Sequence, residues 1–184
     1  LLKEFTKDHT ITTLAKELKV TRTGIWKILK KLESKEFITL KSLGSGKTST
    51  YIIKLKWNII TEKSLALFLT EESMNQTMWI SNFEELKSIV DFLIIYGSII
   101  NTPEKANDID ILGVTSKGKF SKADSTIQKI QKTQIKKIHS INFTQKEFEQ
   151  ELRNNNKAFI EAIKKGKLLF GQDEFVDFIK KVYK

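Results

Sequence analysis

The strongest constraint on this chain is a change of hydrophobic period inside its first third. In Thr10-Ile-Thr-Thr-Leu-Ala-Lys-Glu-Leu-Lys-Val the apolar residues recur at helical spacing, and Leu14, Ala15 and Leu18 share one predicted face. Thr10 or Thr12 is suited to cap the N-terminus of that helix. Val20 leaves the pattern, and Thr21 starts a second helix as N-cap. That helix runs to roughly Glu33, with Ile25, Ile28, Leu29 and Leu32 at helical spacing. The character then changes to β-rich. Phe37-Ile-Thr-Leu-Lys and Thr50-Tyr-Ile-Ile-Lys-Leu flank the turn-forming stretch Ser42-Leu-Gly-Ser-Gly-Lys-Thr-Ser, which reads as a hairpin with a Gly/Ser/Lys tip. Two short helices at a tight turn, followed at once by a hairpin, form a unit of about 57 residues.

The charge gives that unit a direction. The net charge of +10 is unevenly spread. Residues 1–57 hold Arg22 and twelve lysines against five carboxylates, a net +8, whereas residues 58–184 carry only +2. Concentrated cation attracts a polyanion and is stabilised on it by counterion release. The second helix is expected to expose Arg22, Thr23, Trp26, Lys27, Lys30 and Lys31. Its N-terminal residues, Thr21 included, suit base edges; the later lysines, and Lys47 at the hairpin tip, suit phosphates. Trp26 is open between packing and contact with a DNA backbone. The stretch Thr12 to Leu55, most typically LAKELKVTRTGIWKILKKLESKEFITL, resembles the winged helix-turn-helix regulators of bacteria and archaea. That resemblance implies binding to double-stranded DNA, and a homodimer where paired half-sites are read. Gly44-Ser-Gly-Lys-Thr-Ser lacks the spacing of a phosphate loop and lies between strands, so it is not read as one.

Composition closes several alternatives. The chain has no cysteine, which removes disulfides, thiolate zinc sites and cysteine nucleophiles and fits a reducing compartment. No apolar run approaches the ~20 residues needed to span a bilayer. No signal peptide pattern, internal repeat or low-complexity tract is visible. The expectation is a cytoplasmic α+β chain without membrane contact.

Residues 58–90 read as a helical connector, with Thr61 as candidate cap and Leu65, Leu67, Phe68, Leu69, Trp79, Phe83 and Leu86 too apolar for a flexible linker. Residues 91–184 read as a separate mixed α and β domain. Phe92-Leu-Ile-Ile-Tyr has a buried-strand pattern and ends at Gly97-Ser98. Nine residues later comes Asp108-Ile-Asp-Ile-Leu-Gly-Val, a second strand. Residues i and i+2 share a strand face, so Asp108 and Asp110 point the same way. Paired carboxylates repel unless a cation lies between them, and oxygen ligands suit Mg²⁺. A glycine at the strand end lets phosphate approach backbone, and Ser98 adds a donor. A helix over about Lys122–Lys136, with Ile127, Ile130 and Ile135 apolar, leads to a third strand, Lys137-Ile-His-Ser-Ile-Asn-Phe. A helix starting near Thr144, another over Asn156–Lys165, a short strand between Gly166 and Gly171, and a last helix capped by Asp173 complete the reading.

The order strand–Gly-Ser–nine residues–Asp-x-Asp–strand resembles the polymerase-beta-like nucleotidyltransferase superfamily, particularly its minimal members. KAFIEAIKKGKLLFGQDEF resembles their C-terminal part. The resemblance implies a nucleotidyltransferase-like mixed sheet flanked by helices over roughly 90–171. It makes Gly97 and Ser98 nucleotide-binding residues and Asp108 and Asp110 catalytic metal ligands, with Mg²⁺ and a nucleoside triphosphate as ligand or substrate. One departure stands out. Active members place a third carboxylate on the next strand, which here has none; His139 or Asn142 falls near that place. Three functions follow: a DNA-binding regulator with a nucleotide site, an antitoxin-like nucleotidyltransferase acting on a protein partner or small molecule, or a scaffold that binds neither DNA nor nucleotide.

Overall fold

Local hydrogen bonding explains where the first helices begin. The computed structural model describes residues 1–4, 7–44 and 50–182, so Lys47 lies outside the described residues. After β1 (His9–Thr10), the Thr10 hydroxyl accepts the Thr13 N–H while the Thr13 hydroxyl accepts the Thr10 N–H, a reciprocal cap that starts α1 (Ile11–Glu17). The turn after α1 places Lys19 at φ 54°, and Thr21 caps α2 (Arg22–Ser34) by accepting from Gly24 N–H at 3.1 Å. β2 (Ile38–Leu43) and β3 (Thr50–Leu55) then pair antiparallel, with Leu43 opposite Thr50 and β1 on the far side of β3. Ala15, Ile25, Leu29, Ile38 and Ile53 form the centre of this small core.

Two apolar residues depart from the expected faces. Leu18 is 60% exposed, because it terminates α1 and no further helical turn covers it. Ile28 is 54% exposed; at 100° per residue it lies at the flank of the stripe that Ile25, Leu29 and Leu32 complete. The helix after β3 is also capped differently. Asn58, not Thr61, starts α3 (Ile59–Met74): its side-chain Oδ1 accepts the Thr61 N–H at 2.9 Å and its Nδ2 donates to the Glu36 carbonyl at 2.8 Å. Thr61 is buried inside the first turn.

The chain is α+β and divides into two compact units, Leu1–Leu65 and Ala66–Lys184, with the division inside α3. The second unit continues through α4 (Thr77–Asn82), β4 (Phe92–Tyr96), β5 (Asp108–Val114), α5 (Phe120–Gln131), β6 (Lys137–Phe143), α6 (Gln145–Arg153), α7 (Lys157–Lys165), β7 (Lys167–Phe170) and α8 (Gln172–Val182). Its sheet has the order β6-β5-β4-β7. β4 runs antiparallel to β5 and β7, whereas β5 and β6 are parallel. A parallel pair needs a crossover, and α5 supplies it.

Strand alternation divides the side chains of this sheet between two layers. On one face Leu93, Ile95, Ile109, Ile111 and Ile138 pack with Ala123, Ile127 and Ile130 of α5 and with Trp79, Phe83 and Leu86. On the other, Phe92 and Phe143 meet Phe148, Phe159, Phe175 and Phe178 from α6, α7 and α8. Ile135 does not join the first layer. The Gln131 amide donates to the Gln134 and Lys136 carbonyls and its oxygen accepts the Ile138 N–H, which closes the turn and leaves Ile135 fully exposed beyond the helix. The last helix begins at Gln172, so Asp173 lies in its first turn. No helix of the described residues is long and apolar enough to cross a membrane.

Candidate functional site

Among the described residues, each unit carries a concentration of chemistry. In the first, Thr21, Arg22, Thr23, Lys27, Lys30 and Lys31 are all exposed on α2. Helical geometry puts Thr23, Lys27, Lys30 and Lys31 on the side away from Ile25, Leu29 and Leu32. Lys30 is the most constrained of them: its ammonium is 2.8 Å from Glu33 and 4.8 Å from the centre of the Trp26 ring. Trp26 is half-buried and meets Tyr51 with ring centres 5.1 Å apart. The indole therefore ties the basic helix to β3 and holds Lys30 over its face.

In the second unit the strand register assembles the other concentration. Tyr96 at the end of β4 faces Asp110 on β5, and Asp110 faces His139 on β6. Asp108, Asp110 and His139 consequently share the face opposite Ile109, Ile111 and Ile138. His139 Nδ1 is 3.3 Å from Asp108 Oδ2 and 3.7 Å from Asp110 Oδ1. Asn142, the other residue considered for this place, faces away and donates to Asp124 of α5 at 2.9 Å. Among the described residues no lysine or arginine forms an ion pair with Asp108 or Asp110. Burial and the neighbouring Asp108 push the Asp110 carboxyl above the usual range, and His139 offsets part of that. Burial, then Asp110 and Asp108, push the Tyr96 phenol up as well.

Gly97 completes this corner. It has φ 83° and ψ −165°, a region open almost solely to glycine. A Cβ at this position would lie 2.4 Å from Asp110 Oδ2. The absent side chain thus leaves a cradle beside the carboxylate. Ser98 follows at the start of a short 3₁₀ turn and is exposed. An open groove of about 330 Å³ begins here, lined in part by Tyr96, Gly97, Ser98, Asn101, Glu161 and Lys165. Lys165 pairs with Glu161 at 2.6 Å.

The arrangement brings Gly97 against Asp110, which shares its strand face with Asp108, and Ser98 follows Gly97 in the lining of the groove. It also adds residues that spacing alone did not single out. Tyr96 carried a signal in directly preceding Gly97; Lys165 carried only its place before Gly166. Two carboxylates and one imidazole, whose ligand atoms all lie within 4.8 Å of one another, are a donor set suited to a divalent cation.

A family model described as an HTH domain matches residues 1–46, the helices and the start of the hairpin. No curated protein and no solved structure matches the chain. The match supports an N-terminal helix-turn-helix DNA-binding domain of regulator type.

Proposed function

We propose that the protein is a DNA-binding regulator whose C-terminal unit, of nucleotidyltransferase type, holds a nucleotide with a divalent cation and serves as its sensor. The helix-turn-helix match and the exposed basic face of α2 support the DNA part. The observation that carries the nucleotide part is the meeting of Gly97, Asp108 and Asp110 at one corner of one sheet face. Asp108 and Asp110 would hold the cation, and Gly97 and Ser98 would receive phosphate. The bound cation would neutralise phosphate charge. A homodimer reading two half-sites belongs to the same proposal. So does a cytoplasmic location, the compartment that holds free nucleotide with DNA in a cell without a nucleus.

The test is a titration of the full chain with Mg²⁺-ATP, followed by fluorescence anisotropy on mixed duplex DNA at several salt concentrations. Duplex binding that weakens steeply with salt is expected, and nucleotide changes its affinity through a coupling free energy. Absence of duplex binding at low salt removes the DNA part. Failure to bind any nucleoside triphosphate removes the other. Gly97→Ala sharpens the second arm. Its Cβ must displace the Asp110 carboxylate, and the backbone strain costs about 1–3 kcal/mol. Nucleotide and cation binding should both weaken, while duplex binding without nucleotide is retained.

One observation favours a second reading, an active nucleotidyltransferase. His139 lies beside Asp108 and is positioned to take the proton of an attacking hydroxyl. The nucleoside monophosphate would pass to a hydroxyl of a protein or small molecule, and pyrophosphate would leave. Label transfer from α-labelled ATP tests it; equal transfer by Asp108→Ala and Asp110→Ala proteins removes it.

A further inference from the structure

The third donor in the carboxylate cluster is a nitrogen, and that bears on which cation the cluster selects. We propose that Asp108, Asp110 and His139 form a mixed oxygen–nitrogen site that selects a first-row transition dication such as Mn²⁺ over Mg²⁺. This rests on the reading of the cluster as a cation site.

The argument is one of donor chemistry and placement. Mg²⁺ demands oxygen ligands in near-ideal octahedral order and gives up water reluctantly. Imidazole nitrogen is a donor for the transition series, whose members bind mixed nitrogen and oxygen sets more tightly. Two ligand atoms that share such a metal at ~2.1 Å each, roughly at right angles, lie about 3 Å apart. The 3.3 Å from His139 Nδ1 to Asp108 is near that edge length, and the 3.7 Å to Asp110 is wider but still within reach of a shared metal. The parallel register sets this arrangement, because Asp110 and His139 are direct partners and project from the same face. His139 has no evident role in the core: its side chain is 47% exposed while Ile138 beside it is buried. The glycine cradle at Gly97 keeps the other side of Asp110 free of carbon. Among the described residues no lysine or arginine forms an ion pair with either carboxylate, although Lys137 is the strand partner of Asp108.

Every nitrogen-containing site favours transition dications to some degree, so the decisive comparison is between variants. Mn²⁺ binding to the full-length chain would be followed by electron paramagnetic resonance, with Mg²⁺ as competitor. Modulation from a coordinated ¹⁴N is expected in the unsubstituted protein. His139→Ala should abolish that modulation and weaken Mn²⁺ by about 10-fold or more, as losses around metal sites do. Mg²⁺ affinity should change far less. His139→Asp should lose the nitrogen signal and tighten Mg²⁺, reversing the selectivity without removing the site. Circular dichroism confirms that each variant is folded, and the exposed position makes the aspartate variant a second route should alanine perturb β6.

Mn²⁺ bound without a ¹⁴N signal, and equally well by His139→Ala, would overturn the proposal while leaving a two-carboxylate site in place. In that case His139 only hydrogen-bonds Asp108. Failure of the unsubstituted chain to bind either cation, or binding undiminished in Asp108→Asn and Asp110→Asn, would overturn the cation site itself.

Discussion

Phe148→Ala is expected to destabilise the C-terminal unit by about 3–5 kcal/mol, the range for deleting a fully buried ring. Phe148 is completely enclosed and lies between Phe92, Phe143, Phe159 and Phe178, with ring centres 5.4–6.2 Å apart. Removing it withdraws contacts from β4, β6, α7 and α8 at once. The two strands concerned are β4, which ends at Tyr96, and β6, which carries His139 near its start, so the loss reaches the corner where the carboxylates meet. Urea unfolding of the full chain, followed by near-ultraviolet circular dichroism, measures the effect. Phe159 is only half-buried, and Phe159→Ala should cost less, about 1–2 kcal/mol. An equal cost for the two would mean that Phe148 is not the centre of this layer.

That layer shows where sequence reading succeeds and where it stops. Phe92 was recognisable as a core residue because a continuous apolar run is a local property. The same holds for α1, α2 and the hairpin strands, each of which announces itself through a cap, a period or a Gly-rich turn. Asp108 and Asp110 could be placed on one face because only their own strand matters. The partner of Asp110 on β6 was not fixed in this way. It depends on how α5 returns the chain, and the Gln131 amide sets that return by closing the turn to Ile138. A different turn length would have put Ser140 or Ile138 beside Asp110. His139 and Asn142 were therefore open alternatives, and the parallel register separates them onto opposite faces. Leu18, Ile28 and Ile135 illustrate the converse limit. Periodicity marks a residue as able to be buried, but whether a neighbouring element covers it is a tertiary property.

The first unit supports the other large prediction. A protein with Arg22→Ala, Lys27→Ala and Lys31→Ala together is expected to bind duplex DNA about 10²–10³-fold more weakly at low salt, through lost phosphate contacts and one lost base-edge contact. These three residues are exposed along α2 and none is part of the small core, so the fold should survive. Lys30 is left in place because Glu33 and the Trp26 ring already hold it, which would confuse packing with binding. The slope of log affinity against log salt decides how the loss arises. Each phosphate contact contributes about 0.9 to that slope on B-form DNA, so removing the two lysine contacts should lower it by about 2. Arg22 is at the first turn of α2, where side chains reach base edges. Its single replacement should relax sequence preference with little change in slope, whereas Lys27→Ala and Lys31→Ala should weaken all sequences alike. Unchanged affinity and slope in the triple variant would mean that α2 does not enter the groove, and the net charge of +8 in residues 1–57 would then need another partner.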